Sequence, residues 1–87
     1  MHEHYPATLR VYAAIHDFIV QRRKAPTIRE IGAVVFLSHT AVLPHLARLE
    51  AWGWIERDER SPRSIRLGPH APQHPPVLIQ PQMPPAP

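Results

Sequence analysis

The sequence predicts a mainly α domain, three helices followed by a small β-hairpin and then a proline-rich tail. Three observations lead there. Apolar residues recur at intervals of three and four between residues 7 and 52, the period that lines one side of a helix. After Gly53 the period drops to two, as in a half-buried strand. Residues 68–87 then hold eight of the twelve prolines and no charged side chain, a composition that cannot build a helix interior or a central strand. The expected organisation is a flexible lead over residues 1–6, a folded domain over 7–67 and a disordered tail over 68–87.

Each element has a local reason. The first helix begins at Ala7 after Pro6, and carries Val11, Tyr12, Ile15, Phe18 and Ile19 on one stripe. It should stop near Lys24, because Pro26 disfavours helical geometry at Ala25. Thr27 can cap a second helix, with Glu30 three residues on reaching back to complete a capping box. Ile28, Ile31, Val34 and Val35 are its expected inward side. Phe36 and Leu37 make a turn, and Ser38 caps a third helix running from His39 to Trp52. Val42, Leu46 and Leu49 face inward, and Gly53 stops the helix. Residues 54–58 and 63–67 read as two strands, the second with Ile65 and Leu67 on a dry side and Ser64 and Arg66 on a wet one. Glu59-Arg60-Ser61-Pro62 is the turn between them. In the tail, Val77-Leu78-Ile79 is the one apolar island, either part of a spacer or a short docking peptide.

Composition narrows the function. About 60 residues remain to fold, a size at which burial gives only marginal stability, so a large enzyme with a deep pocket is not expected. No nucleophile–base or carboxylate pair stands in a recognisable motif. There is no cysteine, which excludes disulfides and thiolate zinc sites. The seven histidines form no metal-binding motif, and neither metal nor cofactor is expected. The longest apolar run is five residues, 33–37, too short for a membrane span. The N-terminus lacks the pattern of a signal peptide, so a cytoplasmic location is the default. The net charge is +3, from ten basic and seven acidic residues. Nine of the ten cations are arginine, whose planar fork suits phosphate. They concentrate in Arg22-Arg23-Lys24 and at Arg57, Arg60, Arg63 and Arg66.

A third helix anchored by one side and free on the other, next to a hairpin, describes a winged helix-turn-helix. An α-helix fits the major groove of B-DNA, and a hairpin can reach phosphates or the minor groove. Four segments in order, Ala25-Pro26-Thr27-Ile28-Arg29-Glu30-Ile31-Gly32, Val42-Leu43-Pro44-His45-Leu46-Ala47-Arg48-Leu49-Glu50, Gly53-Trp54-Ile55-Glu56-Arg57 and Arg63-Ser64-Ile65-Arg66-Leu67, resemble the N-terminal DNA-binding domain of LexA-type repressors. The likeness covers about residues 7–68. In that family the domain leads into a self-cleaving peptidase domain with a Ser–Lys pair, which also dimerises. Nothing follows the tail here and Lys24 is the only lysine. Self-cleavage, a damage response through it and the usual dimer therefore do not carry over from the resemblance.

By match to the family, Ser38, Thr40, Ala41, Leu43 and Pro44 fall at base-approaching positions, with His39 beside them. The set lacks the Arg, Asn and Gln that grip base edges with two hydrogen bonds. Contacts to thymine methyls and a contribution from DNA shape are expected instead. Thr27, Arg29, Arg48, Arg60, Ser61 and Arg63 are the expected backbone contacts. Arg48 has the alternative of pairing with Glu50 or another neighbour at the surface, and the wing arginines that of a solvated turn balanced by Glu56, Asp58 and Glu59. Arg22, Arg23 and Lys24 equally suit the negative end of a helix. An interior proline costs about 3 kcal/mol and bends the axis, so Pro44 implies either a bent third helix or one that starts after Ser38. His45 should be packed or half buried. Trp52 and Trp54 should cap the core, or else offer a platform for single-stranded bases. The expected function is sequence-preferring binding of double-stranded DNA by a small repressor-like transcriptional regulator, which blocks or recruits polymerase by occupying a promoter. A homodimer or an accessory protein would supply tight binding. The alternative is a protein-interaction module using Leu43, Pro44 and Ala47 together with the tail.

Overall fold

The computed structural model describes residues 5–61 and 63–72. The expectations for the lead residues 1–4, for Pro62 and for the tail from residue 73, Val77-Leu78-Ile79 included, lie outside them. The elements are α1 (Pro6–Arg22), α2 (Ile28–Val35), α3 (His39–Trp52), β1 (Ile55–Glu56) and β2 (Arg66–Leu67). Among the described residues no single helix is long and apolar enough to cross a membrane.

α1 starts one residue earlier than expected, with Pro6 in the first turn, where its missing N–H costs nothing. It ends before Lys24 because Arg23 turns left-handed (φ 59°) and donates its N–H to Ile19 O. α2 opens with the expected capping box, Thr27 Oγ1 accepting from Glu30 N and Glu30 Oε1 from Thr27 N. α3 is bracketed as expected by Ser38, whose Oγ accepts from Ala41 N, and by Gly53 in the left-handed conformation (φ 79°). Pro44 lies inside α3, which begins at His39 directly after its Ser38 cap.

The three helices close on one core. Val11, Tyr12 and Ile15 of α1, Ile31 of α2, and Val42, Leu46 and Leu49 of α3 are buried, and Ile55 and Ile65 join them from the hairpin. Val34 was expected inside and is 58% exposed. Ile28, Ile31 and Val35 already fill the inward stripe of this short helix, and Val34 sits about 100° around the axis from Val35. α2 and α3 are bent by 102° at the turn over residues 36–38. Phe36 makes that corner in the left-handed conformation (φ 60°), its N–H bonded to Gly32 O, with its ring 92% exposed.

The hairpin is shorter than expected. Only Ile55↔Leu67 and Glu56↔Arg66 pair, antiparallel. Beyond them Ser64 Oγ takes over, accepting from Asp58 N at 2.7 Å and donating to Asp58 O at 2.8 Å, so side chain replaces ladder. Ile65 is buried, but Leu67, expected on the dry side, is 36% exposed because the ribbon ends there. The folded unit runs past the expected boundary. Gly68 N donates to Trp54 O and His70 N to Gly53 O, both at 2.8 Å, and Ala71 packs on the core.

Trp52 and Trp54 cap the core as expected. Their rings meet edge-on at 5.0 Å, Trp52 against Tyr5 at 5.6 Å and Trp54 against Tyr12 at 4.9 Å. The Tyr12 side chain is fully buried, yet its hydroxyl has no hydrogen-bond partner among the described residues, and burial raises its pKa. A buried hydroxyl without a partner is a net cost. Tyr12→Phe should therefore gain up to about 1 kcal/mol in urea denaturation. A loss of similar size would show that the hydroxyl is satisfied after all.

Candidate nucleic-acid interface

The outer side of α3 is set by its inner one. With Val42, Leu46 and Leu49 at 0% exposure, the first turn and the opposite side are left to solvent. Ser38, His39, Thr40, Pro44 and Ala47 are exposed, and Ala41 is half-buried. Leu43 departs from the outward reading: it is half-buried and packs against the core. It lies only about 60° around the axis from Leu46, on the flank of the inward stripe. The apolar outer surface therefore reduces to Pro44 and Ala47, with the edge of Leu43.

The N-termini of α2 and α3 come together. Thr27, Ile28, Arg29 and His39 line an open depression of about 150 Å³. Arg29 is exposed there, while the Thr27 hydroxyl is engaged in the cap. At the wing, Arg60 and Ser61 are exposed. Asp58 organises that tip, accepting from Arg60 N through Oδ1 at 2.9 Å and from Ser61 N through its carbonyl at 3.0 Å.

Two of the expected backbone contacts have other work. Arg63 grips Glu30 with two hydrogen bonds, 3.1 Å from NH1 and 3.0 Å from NH2, and also donates to Ala25 O at 2.8 Å. The base of the wing is thus fastened to the start of α2. Arg48 donates to Thr8 Oγ1 at 3.0 Å and lies 4.5 Å over the Tyr5 ring, tying α3 to α1 rather than pairing with Glu50. Glu50 instead accepts from Arg57 at 2.8 Å. His45 is half-buried as expected, its Nδ1 2.8 Å from Thr8 Oγ1. Burial, then the charges of Arg48 and Arg10, lower its pKa. Neither the Arg63–Glu30 clamp nor the Thr8–His45–Arg48 cluster was anticipated from the sequence. Their partners stand 33 to 40 positions apart, and no local spacing rule reaches that far.

The clamp has a pH signature. The bonds from Arg63, and then the Thr27 N–H, bring the Glu30 pKa from 4.5 down to about 2. A carboxylate whose folded pKa is depressed adds stability that is complete above its unfolded value and disappears as pH falls through the folded one. The stability gap between the wild-type chain and Glu30→Gln should hold at pH 6 and close between about pH 4.5 and 2. Urea midpoints for both proteins across that range check it. A gap constant down to pH 2 would mean that the ionised carboxylate contributes nothing.

Two helices at such an angle through a three-residue turn form a helix-turn-helix, and the hairpin packed behind makes it the winged variety of this DNA-binding class. The chain belongs to the family of LexA DNA-binding domains, whose family profile matches residues 3–64. Among curated proteins it is similar to the LexA repressor of Lactobacillus johnsonii, with 40% identity over 65 residues, 74% of this chain and 31% of that protein. The LexA repressor of Enterococcus faecalis is 45% identical over 62 residues, 70% of this chain and 30% of that protein. That of Geobacillus thermodenitrificans is 47% identical over 58 residues, 61% and 28%. The chain thus spans about 30% of the length of these relatives.

Proposed function

We propose that this domain binds double-stranded DNA with a sequence preference and acts as a small repressor-like regulator by occupying a promoter. The observation that carries the reading is the division of α3, with Val42, Leu46 and Leu49 fully buried on one side and Ser38, His39, Thr40, Pro44 and Ala47 exposed on the other. In this reading the start of α3 enters the major groove. Thr40, Ala41 and the edge of Leu43 meet thymine methyls, while Ser38 and His39 donate to bases or phosphates. With so few polar groups on that side, DNA shape supplies part of the preference. Arg29, Arg60 and Ser61 hold the backbone beside the Thr27 cap. Arg63 and Arg48 act mainly by fixing the wing and α3 in place. One such module covers a half-site, so tight operator binding calls for a second copy or an accessory protein.

Mobility shifts at two or more salt concentrations test the reading. If about four phosphates are neutralised, log K should fall with a slope of roughly −3.6 against log salt. Arg60→Ala, at an exposed residue, should weaken binding and flatten the slope by about 0.9 without lowering the melting temperature. No retardation of any duplex at low salt would reject DNA as the partner and favour a protein-binding role for Pro44 and Ala47.

A further inference from the structure

Between the C-terminal end of α1 and the second strand of the wing lies an open groove of about 550 Å³. Arg23, Lys24, Arg63 and Arg66 line it together with Ser61 and Ser64, and among the described residues no carboxylate does. Arg63 and Arg66 each already hold one acid, Glu30 and Glu56. Arg23 and Lys24 are exposed, and neither forms an ion pair among the described residues. Residues 23–25 run directly into the Thr27 cap of α2, and Arg63 binds the Ala25 carbonyl at the edge of the groove. The groove thus reaches the wing tip at Ser61 at one end, and residues 23–25 lead from it along the chain to the start of α2, where Arg29 is exposed.

We infer that this groove is a second phosphate-binding track, in which Arg23 and Lys24 hold the backbone of duplex DNA flanking the half-site. The inference rests on the DNA-binding reading above. The competing explanation for the Arg22-Arg23-Lys24 run is the negative end of α1, which attracts cations whatever the partner. Arg22 fits that explanation, lying 4.8 Å over the Phe18 ring on its own helix. Arg23, the C-cap, and Lys24 after it are also close to that end, but in addition they line a groove whose polar side chains are cations and hydroxyls. Those donors match phosphate oxygens, and two such contacts release two counterions' worth of salt dependence.

The test compares the wild-type chain with Arg23→Asn/Lys24→Ala; asparagine keeps the left-handed position at residue 23 accessible. Both are titrated with a duplex carrying a half-site recovered by selection from random-sequence DNA and long flanks, and with one truncated at the wing side. The double variant should bind the long duplex about tenfold more weakly at low salt, with a slope flatter by about 1.8. Its affinity for the truncated duplex and its melting temperature should match the wild type. Arg23→Lys/Lys24→Arg should restore the slope. If the double variant loses its fold, Lys24→Ala alone should still flatten the slope by about 0.9. An unchanged slope, or equal loss on both duplexes, overturns the track. So does capture of a poly-glutamate peptide through Arg23 and Lys24 with the DNA slope unmoved, which would make the groove a seat for an acidic protein segment. If the DNA-binding reading itself is wrong, the wild-type chain retards neither duplex. If only the track is wrong, wild-type binding stands and the variant shares it.

Discussion

Gly32→Ala should destabilise the domain by about 2–3 kcal/mol, reversing the sign that helix propensity alone gives. In an exposed helix alanine is favoured over glycine by about 1 kcal/mol. Gly32 is buried in α2, and a Cβ there would lie 2.4 Å from the Leu37 carbonyl oxygen. That oxygen belongs to backbone, so no rotamer relieves the clash. Moving the chain would strain Leu37 N–H to Gly32 O, a 2.9 Å bond that closes the turn before α3. At roughly 4–8 °C per kcal/mol for a domain of this size, the melting temperature should drop by on the order of 10–20 °C. Thermal denaturation followed by circular dichroism measures it. A melting temperature equal to or above that of the wild type would show that the corner can open without cost.

Thr40→Glu should weaken DNA binding by about 100-fold, or about 2.8 kcal/mol, and leave the fold intact. Thr40 is exposed in the first turn of α3. A carboxylate there interacts favourably with the positive end of the helix, so the melting temperature should hold or rise slightly. The same carboxylate would face phosphates and base acceptors if α3 enters the groove. The two effects have opposite signs, which keeps a binding defect distinct from misfolding. Full affinity in the Glu variant would remove the outer side of α3 from the interface.

The parts of this fold that could be read from the chain are those governed by neighbours in sequence. Thr27 with Glu30, and Ser38 with Gly53, mark helix ends through bonds that span three or four residues. Val42, Leu46 and Leu49 mark a core side because helical geometry repeats locally. What escaped reading depends on distant partners. Arg63 looks like a free wing cation until Glu30 is brought against it. Strand length was overestimated because Ser64 competes with the ladder through its hydroxyl. The flanks of a stripe are ambiguous for a related reason: Leu43 and Val34 each lie near the inward arc, and the neighbouring elements decide which one is covered. For the candidate site, helix position was legible while the division between free and engaged arginines was not.

Pro44 has a consequence for how the exposed side of α3 can be tested. A proline donates no N–H, so the Thr40 carbonyl four residues earlier lacks its usual helical donor. That oxygen is left without its backbone amide close to the start of the helix, beside the proline ring. If α3 enters the major groove, an amino group on cytosine or adenine, or a bridging water, is its natural complement. Alanine substitution at the neighbouring positions leaves such an acceptor in place, whereas Pro44→Ala restores the missing amide and engages it.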